Sequence, residues 1–131
     1  MNAGYLVLVG ALLAGPAASA DAVQQMLNEY RQQGVTTMSA QAGRELWERK
    51  FPKPGSGQLR SCTICHGDRP ENPGKHARTG KLIEPMAASV NSKRFSDPRK
   101  IRKWFKRNCK WTLGRECSAQ EQADILVFLS S

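Results

Sequence analysis

The stretch Cys62-Thr63-Ile64-Cys65-His66 decides what this chain folds around. Two cysteines separated by two residues and followed at once by a histidine form the attachment motif of c-type haem. Each thiol can add across one haem vinyl group, and the imidazole is then held beneath the iron as its proximal ligand. The motif occurs once, so it predicts a single, covalently attached haem c.

Other uses of a Cys-x-x-Cys pair fit this sequence less well. A structural zinc site needs a second pair of ligands at matching spacing, but Cys109 and Cys117 are separated by seven residues. A thioredoxin-like redox motif belongs to an alternating pattern of strands and helices, which the sequence lacks. A plain disulfide between the two motif cysteines would not require His66.

The first twenty residues are typical of a secretory signal peptide. Residues 2–20 carry no charged side chain, and an apolar run at 5–14 is followed by three small residues that end at Ala20. Glycine and proline interrupt the apolar segment, which is too short for a membrane anchor. We expect cleavage after Ala20 and export to the periplasm, where haem is attached and disulfides persist.

The remainder, residues 21–131, is long enough for one small haem domain. Apolar residues at helical spacing predict an additional N-terminal helix over residues 21–34. Ser39 is a suitable cap for a second helix, which carries Trp47 on its apolar face and ends near Phe51.

Two further helices follow a section that is poor in regular structure. Residues 52–80 are rich in Gly, Pro and polar side chains, and predict a loop apart from the haem motif. Asp97 and Pro98 suit the cap and first residue of a long helix, and Ser118 with Glu121 forms the capping box of the last one. No segment alternates as a strand does, so the sequence predicts an all-α fold.

The order of N-terminal helix, haem motif and C-terminal helix resembles a class I cytochrome c. We therefore expect a small class I cytochrome c-like helical domain around the haem. Within that class, residues 61–129 resemble the family typified by the Sphaeroides haem protein, an asparagine-ligated, oxygen-binding group of mono-haem cytochromes. The stretches that carry the resemblance are Cys62–Gly67, Arg78–Lys81, Arg94-Phe95, Trp104, Arg107–Cys109 and Gly114–Cys117.

The resemblance implies a ligand set and a disulfide. It makes His66 the proximal ligand and Asn108 the distal ligand of ferric iron, and it pairs Cys109 with Cys117. In that family the asparagine leaves on reduction, and the iron then binds dioxygen, carbon monoxide or nitric oxide. A bridge that closes so short a loop contributes about 2.5 kcal/mol to stability in the chain-entropy treatment.

The residues themselves leave the distal ligand open. An amide oxygen is a hard, weak donor that holds ferric iron loosely, but Asn108 also suits the C-terminal end of a helix. Met86 is the alternative ligand, because a thioether favours ferrous iron and a stable electron carrier. Its other interpretation is a flexible apolar residue in the haem pocket. His76 lies in a polar loop, and we interpret it as solvent-exposed rather than as a second axial histidine.

Positive charge is the second strong feature, with a formal net charge of +9. Basic residues concentrate late in the chain, on and near the predicted long helix: Lys93, Arg94, Arg99, Lys100, Arg102, Lys103, Lys106, Arg107 and Lys110. Either they form a solvated face, or they dock an acidic redox partner, for which we expect another cytochrome. Arg78, Lys81 and Arg94 are candidates for contacts with the haem propionates.

Some partner classes are less consistent with this charge. Nucleic acid does not suit an exported haem protein, and membrane contact would be at most peripheral association with anionic lipid.

Two functions fit the sequence. One is one-electron transfer coupled to binding of a diatomic ligand, after release of the weak Asn108 ligand. The other is a conventional electron carrier whose iron is held by His66 and Met86. The sequence offers no peroxidase-like acid–base constellation. We therefore expect an electron-transfer or gas-binding protein rather than a dedicated enzyme.

Overall fold

The computed structural model describes residues 17–131, and helices dominate this part of the chain. The helices are α1 Ala17–Gln32, α2 Ala40–Glu48, α3 Thr63–His66, α4 Pro98–Leu113 and α5 Ala119–Ser130. Two antiparallel pairs of two-residue strands join β1 Phe51–Pro52 to β2 Leu59–Arg60, and β3 Gly74–Lys75 to β4 Leu82–Ile83. The predicted all-α class is confirmed.

The predicted signal peptide falls largely on residues 1–16, which lie outside the described residues. Helix α1 begins at Ala17, so the expected cleavage point after Ala20 falls in its first turn. Cleavage and export stay predictions. In the described part of the chain, no helix has the length and apolarity needed to cross a bilayer.

The three predicted helix caps are confirmed. The Ser39 hydroxyl accepts a hydrogen bond from Ala42 N at 3.1 Å, and the Asp97 carboxylate accepts one from Arg99 N at 2.9 Å. At α5, Ser118 and Glu121 bond each other's backbone reciprocally. Each cap satisfies an amide that the first helical turn would otherwise leave without a partner.

The short strand pairs were not predicted, because two residues are too few to show alternation in sequence. Phe51 pairs with Arg60 across a turn, and Gly74 pairs with Ile83 across another. The boundaries of two helices also differ from the prediction. Helix α1 begins before residue 21, and α2 ends at Glu48, ahead of the expected stop.

Helices α2 and α5 cross at Gly43, which lies against the α5 backbone. A Cβ added to Gly43 would overlap the carbonyl oxygen of Asp124 and would lie 2.8 Å from the Phe128 Cβ. Asp124 also accepts a hydrogen bond from Ser39 N at 2.8 Å, which fixes the start of α2 on α5. The absence of a side chain at Gly43 is therefore what lets the two helix backbones meet.

The additional helix α1 packs onto the domain rather than standing apart. Met26 is 1% exposed and belongs to the common core. Tyr30 donates to the Gln122 side chain at 3.1 Å, and burial raises the pKa of its phenol. Arg102 of α4 forms a salt bridge with Glu29. Helix α1 is thus attached to both α4 and α5.

Gly43→Ala should lower the free energy of unfolding of the haem-loaded protein by about 1–3 kcal/mol, because the new methyl group overpacks the α2–α5 crossing. Chemical denaturation followed by circular dichroism measures the change. Gln41→Ala is the control, since this exposed position on the same helix should change stability by less than about 0.5 kcal/mol. Equal stabilities for both variants would contradict the tight crossing.

Candidate haem site

Helix α3 places the three residues of the haem motif on one short turn. Cys62 lies at its N-cap, and His66 N donates to the Cys62 carbonyl at 3.1 Å. Residues three and four apart in a helix share a face, so both cysteines and His66 line the same cavity. Both thiols are free and partly buried, and burial raises the pKa of Cys62 to about 12.

A cleft separates this turn from helix α4. It consists of two cavities with empty volumes of about 450 and 1060 Å³. The residues common to both cavities are Cys65, His66, Trp104, Asn108 and Trp111. The cleft is thus walled by the haem motif on one side and by one face of α4 on the other.

His66 has the properties of a metal ligand rather than of a core histidine. Burial and, to a smaller extent, the nearby Arg94 guanidinium lower its pKa to about 4, so the imidazole is neutral at pH 7. Within the described residues, its buried Nδ1 has no hydrogen-bond partner. A neutral imidazole beside two free thiols fits the covalent attachment of haem and an iron–nitrogen bond.

Trp47 of α2 packs against the turn that carries the haem motif. Its indole is completely buried, and its Nε1–H donates to the Gly67 carbonyl at 3.1 Å. Its ring centroid lies 5.3 Å from that of His66. The sequence placed Trp47 on the apolar face of α2, but it gave no sign of this contact with the motif.

The segment that contains β3 also packs closely against the haem motif. Gly74 of β3 approaches so closely that an added Cβ would overlap the Cys65 carbonyl oxygen and lie 2.8 Å from the His66 Cα. Ala77 N lies 3.3 Å from the Cys65 sulfur. Glycine at position 74 therefore provides the space in which the motif turn lies, a role that sequence reasoning did not anticipate.

Helix α4 presents Trp104, Asn108 and Trp111 to the cleft. These residues are four and three positions apart and share one face of the helix. The Asn108 amide Nδ2 donates to the Trp104 carbonyl at 2.9 Å. Trp111 is 40% exposed, and Arg60 stacks 4.3 Å above its ring while donating to its carbonyl.

A disulfide anchors the end of this helix. Cys109, next to Asn108, is bonded to Cys117 in the segment before α5, with 5.6 Å between their Cα atoms. Gly114, at the end of α4, has the left-handed φ of +76° that this reversal requires. The bridge ties the C-terminal end of α4 to the start of α5.

Met86 also reaches the cleft. Its side chain is 2% exposed and lines the larger cavity together with Asn108 and His66. Arg94 donates to the Pro85 carbonyl at 2.9 Å and to the Glu84 carbonyl at 2.8 Å, which fixes the segment that carries Met86. Both distal candidates therefore border the same space.

The three propionate candidates are placed differently. Arg94 is half-buried and lines the larger cavity. Arg78 and Lys81 are exposed, and neither belongs to the described lining of the cleft. Of the three, the fold brings only Arg94 to the cleft wall.

The interpretation of His76 as solvent-exposed was wrong. His76 is half-buried and lines the larger cavity with His66, because the β3–β4 pair folds its loop back over the haem motif. Its Nδ1 accepts hydrogen bonds from Arg78 N and Thr79 N at 3.3 and 3.1 Å. A neutral imidazole that accepts at Nδ1 carries its proton on Nε2, so Nε2 in this state cannot bind iron.

Comparison with known proteins agrees with this arrangement. Residues 33–129 match the protein family described as "Domain of unknown function (DUF1924)". Cytochrome c-type protein SHP from Cereibacter sphaeroides is 36% identical over 126 residues, covering 95% of this chain and 96% of SHP. Cytochrome c'' from Methylophilus methylotrophus is 41% identical over 87 residues, covering 66% of this chain and 60% of the relative. This chain belongs to the DUF1924 family, and it is related to the c-type cytochromes SHP and cytochrome c''.

Solved structures of both relatives share the fold of this cytochrome. Oxidised cytochrome c'' superposes with a TM-score of 0.75 and 33% identity, covering 88% of this chain and 94% of that one. Oxidised SHP gives a TM-score of 0.73 and 35% identity, covering 82% and 95%. The predicted resemblance and the predicted haem c are confirmed. This protein is a mono-haem electron-transfer cytochrome with one covalently bound haem c.

Gly74→Ala should reduce the fraction of chains that acquire covalent haem severalfold, because the methyl group would displace the Cys65–His66 turn. Absorbance of the haem relative to total protein, after expression with the haem-attachment machinery, measures this fraction. Lys75→Ala is the control, since this exposed neighbour on the same strand lies outside the described lining of the cleft. Equal haem content in the two variants would show that the close approach is unimportant.

Proposed function

We propose that this exported cytochrome couples one-electron transfer to the binding of a diatomic gas, with Asn108 as a weak distal ligand that leaves on reduction. Haem iron would supply a one-electron couple and a coordination position for a small ligand. His66 would provide a nitrogen ligand, and Cys62 and Cys65 would hold the macrocycle by thioether bonds. We place this activity in the periplasm, in keeping with the apolar N-terminal segment.

The observation that carries the proposal is the orientation of Asn108. Its Nδ2 is occupied by the hydrogen bond to the Trp104 carbonyl, and no hydrogen bond in the described part of the chain ends on its Oδ1. The side chain lines both cavities of the cleft, as His66 does. The amide oxygen is therefore the atom that remains free to donate an electron pair to iron.

The chemistry of an amide oxygen explains why its hold depends on the oxidation state. It is a hard donor that suits ferric iron better than ferrous iron. Asn108 would consequently leave when the iron is reduced, and the position would become available to oxygen, carbon monoxide or nitric oxide. The solved SHP structure is described as that of an oxygen-binding cytochrome c, and a solution structure of cytochrome c'' addresses haem-ligand detachment.

The deciding experiment is the absorption spectrum of the pure protein, oxidised and reduced, with and without carbon monoxide. Release of Asn108 predicts a high-spin reduced spectrum that changes at once when carbon monoxide is added. A low-spin reduced spectrum that is indifferent to carbon monoxide would overturn the proposal and favour a permanent sixth ligand.

Asn108→Ala should let added cyanide bind the ferric protein severalfold faster while leaving its haem content unchanged, because alanine has no donor atom that must first leave the iron. Asn72→Ala is the matched control, since Asn72 is exposed and lies outside the described lining of the cleft. Stopped-flow absorbance of the ferric state gives the comparison. A cyanide-binding rate unaltered in Asn108→Ala would exclude Asn108 as the ligand.

Met86 defines the second candidate function, a conventional electron carrier with His66 and Met86 as axial ligands. It rests on the burial of Met86 against the same cavity that Asn108 lines. Met86→Leu keeps the volume but removes the thioether sulfur. If Asn108 is the ligand, Met86→Leu should leave the absorption spectra of the oxidised and reduced protein unchanged. Loss of a low-spin spectrum in this variant alone would establish the electron carrier instead.

A further inference from the structure

A groove lined by cations runs along the N-terminal half of α4. Its empty volume is about 820 Å³. Five basic side chains line it, and we call it the basic groove: Lys93, Arg94, Lys100, Lys103 and Arg107. Asp97 is the one acidic residue in the described lining, and Arg99 already pairs with it. The groove therefore has a strong excess of positive charge.

The cations of the basic groove have no carboxylate partner, in contrast to three arginines elsewhere on the surface. Arg44, Arg102 and Arg115 each form a salt bridge with a glutamate. Across residues 17–131, none of the five groove cations forms a salt bridge, and all except Arg94 are exposed. Four exposed cations thus present positive charge to solvent, and no carboxylate in the described part of the chain forms a salt bridge with them.

The basic groove is continuous with the haem cleft. Trp104, Arg94 and Arg107 line both the groove and the larger cavity that His66 lines. Trp104 also lines the smaller cavity beside the two motif cysteines. A molecule seated in the groove would therefore contact side chains that also wall the haem cleft, Trp104 among them. Electron tunnelling falls steeply with distance, so this proximity favours rapid transfer.

We propose that the basic groove is the docking site of an acidic redox protein that exchanges single electrons with the haem. The inference rests on the one-electron function given above and assigns it a surface and a class of partner. In the reducing direction, the partner loses one electron and ferric iron becomes ferrous, and no bond between the two proteins forms or breaks. Carboxylates projecting from the partner complement the groove and raise the rate of encounter.

A concave site argues for a protein rather than a lipid surface. The cations line a groove, into which protruding aspartate and glutamate side chains fit. A bilayer is broad and flat, and it would contact a convex basic face. The groove also opens toward the haem cleft, a position that serves electron exchange and brings no advantage to membrane attachment.

The test compares two charge-reversal variants of α4 with equal net charge. Lys100→Glu/Lys103→Glu alters the basic groove, whereas Lys106→Glu/Lys110→Glu alters exposed residues outside its described lining. Stopped-flow measurements follow reduction of each ferric protein by flavodoxin hydroquinone, an acidic one-electron donor, over a range of ionic strength. Haem absorbance and circular dichroism establish that both variants are folded and loaded.

The groove variant should react at least about tenfold more slowly than wild type at low ionic strength and should lose most of its salt dependence. The control variant should lose less than about threefold. Equal losses would mean that net charge alone matters, and unchanged rates would mean a solvated face; either outcome overturns the proposal. The proposal would also be overturned if the protein sedimented with phosphatidylglycerol vesicles, if this binding required the groove lysines, and if the rate of reduction by flavodoxin were the same in both variants and wild type.

The same samples separate this proposal from the one for the distal ligand. Neither pair of lysines lines the cavity that contains His66 and Asn108, so both variants should keep the wild-type response to carbon monoxide. A wild-type protein that fails to bind carbon monoxide would remove the gas-binding function. The flavodoxin rates would still decide the docking site, because they depend on electron transfer alone.

Discussion

The contact between Trp47 and the haem motif is the interaction on which the rest of the site depends. Its buried indole packs against the His66 ring and donates to the Gly67 carbonyl at the end of α3. Helix α2, which carries Trp47, is in turn held on α5 through the close approach at Gly43. His66 is thereby positioned by the crossing of α2 and α5, and a change at that crossing would be transmitted to its imidazole.

Helix α4 combines three tasks in sixteen residues. One face buries Ile101 and Phe105 in the core, a second presents Trp104 and Asn108 to the cleft, and a third carries exposed cations. Its N-terminal end is fixed by the Asp97 cap and its C-terminal end by the disulfide at Cys109. Fixing both ends limits rotation of the helix, which keeps the face that borders the cleft separate from the face that packs in the core.

Local signals explain which parts of this fold could be read from the sequence. The haem motif, the caps at Ser39, Asp97 and Ser118, and the all-α class each depend on residues within a few positions of one another. The placement of His76 and the approach of Gly74 to the motif depend on pairing between β3 and β4. These strands are two residues long, which is too short to show an alternation of apolar and polar residues in the sequence. Contacts between distant segments of the chain are set by tertiary packing, for which a single sequence carries no local signal.

The hydrogen bond from Asn108 to the Trp104 carbonyl bears on the equilibrium of gas binding. If the amide is the distal ligand, its release leaves it tethered to its own helix, within reach of the position it vacated. An external gas then competes with a ligand whose local concentration is fixed by the fold and does not change on dilution. The apparent affinity for gas is reduced by the fraction of time that the site is closed. The fold would thus set the gas affinity through the strength of one intrahelical hydrogen bond.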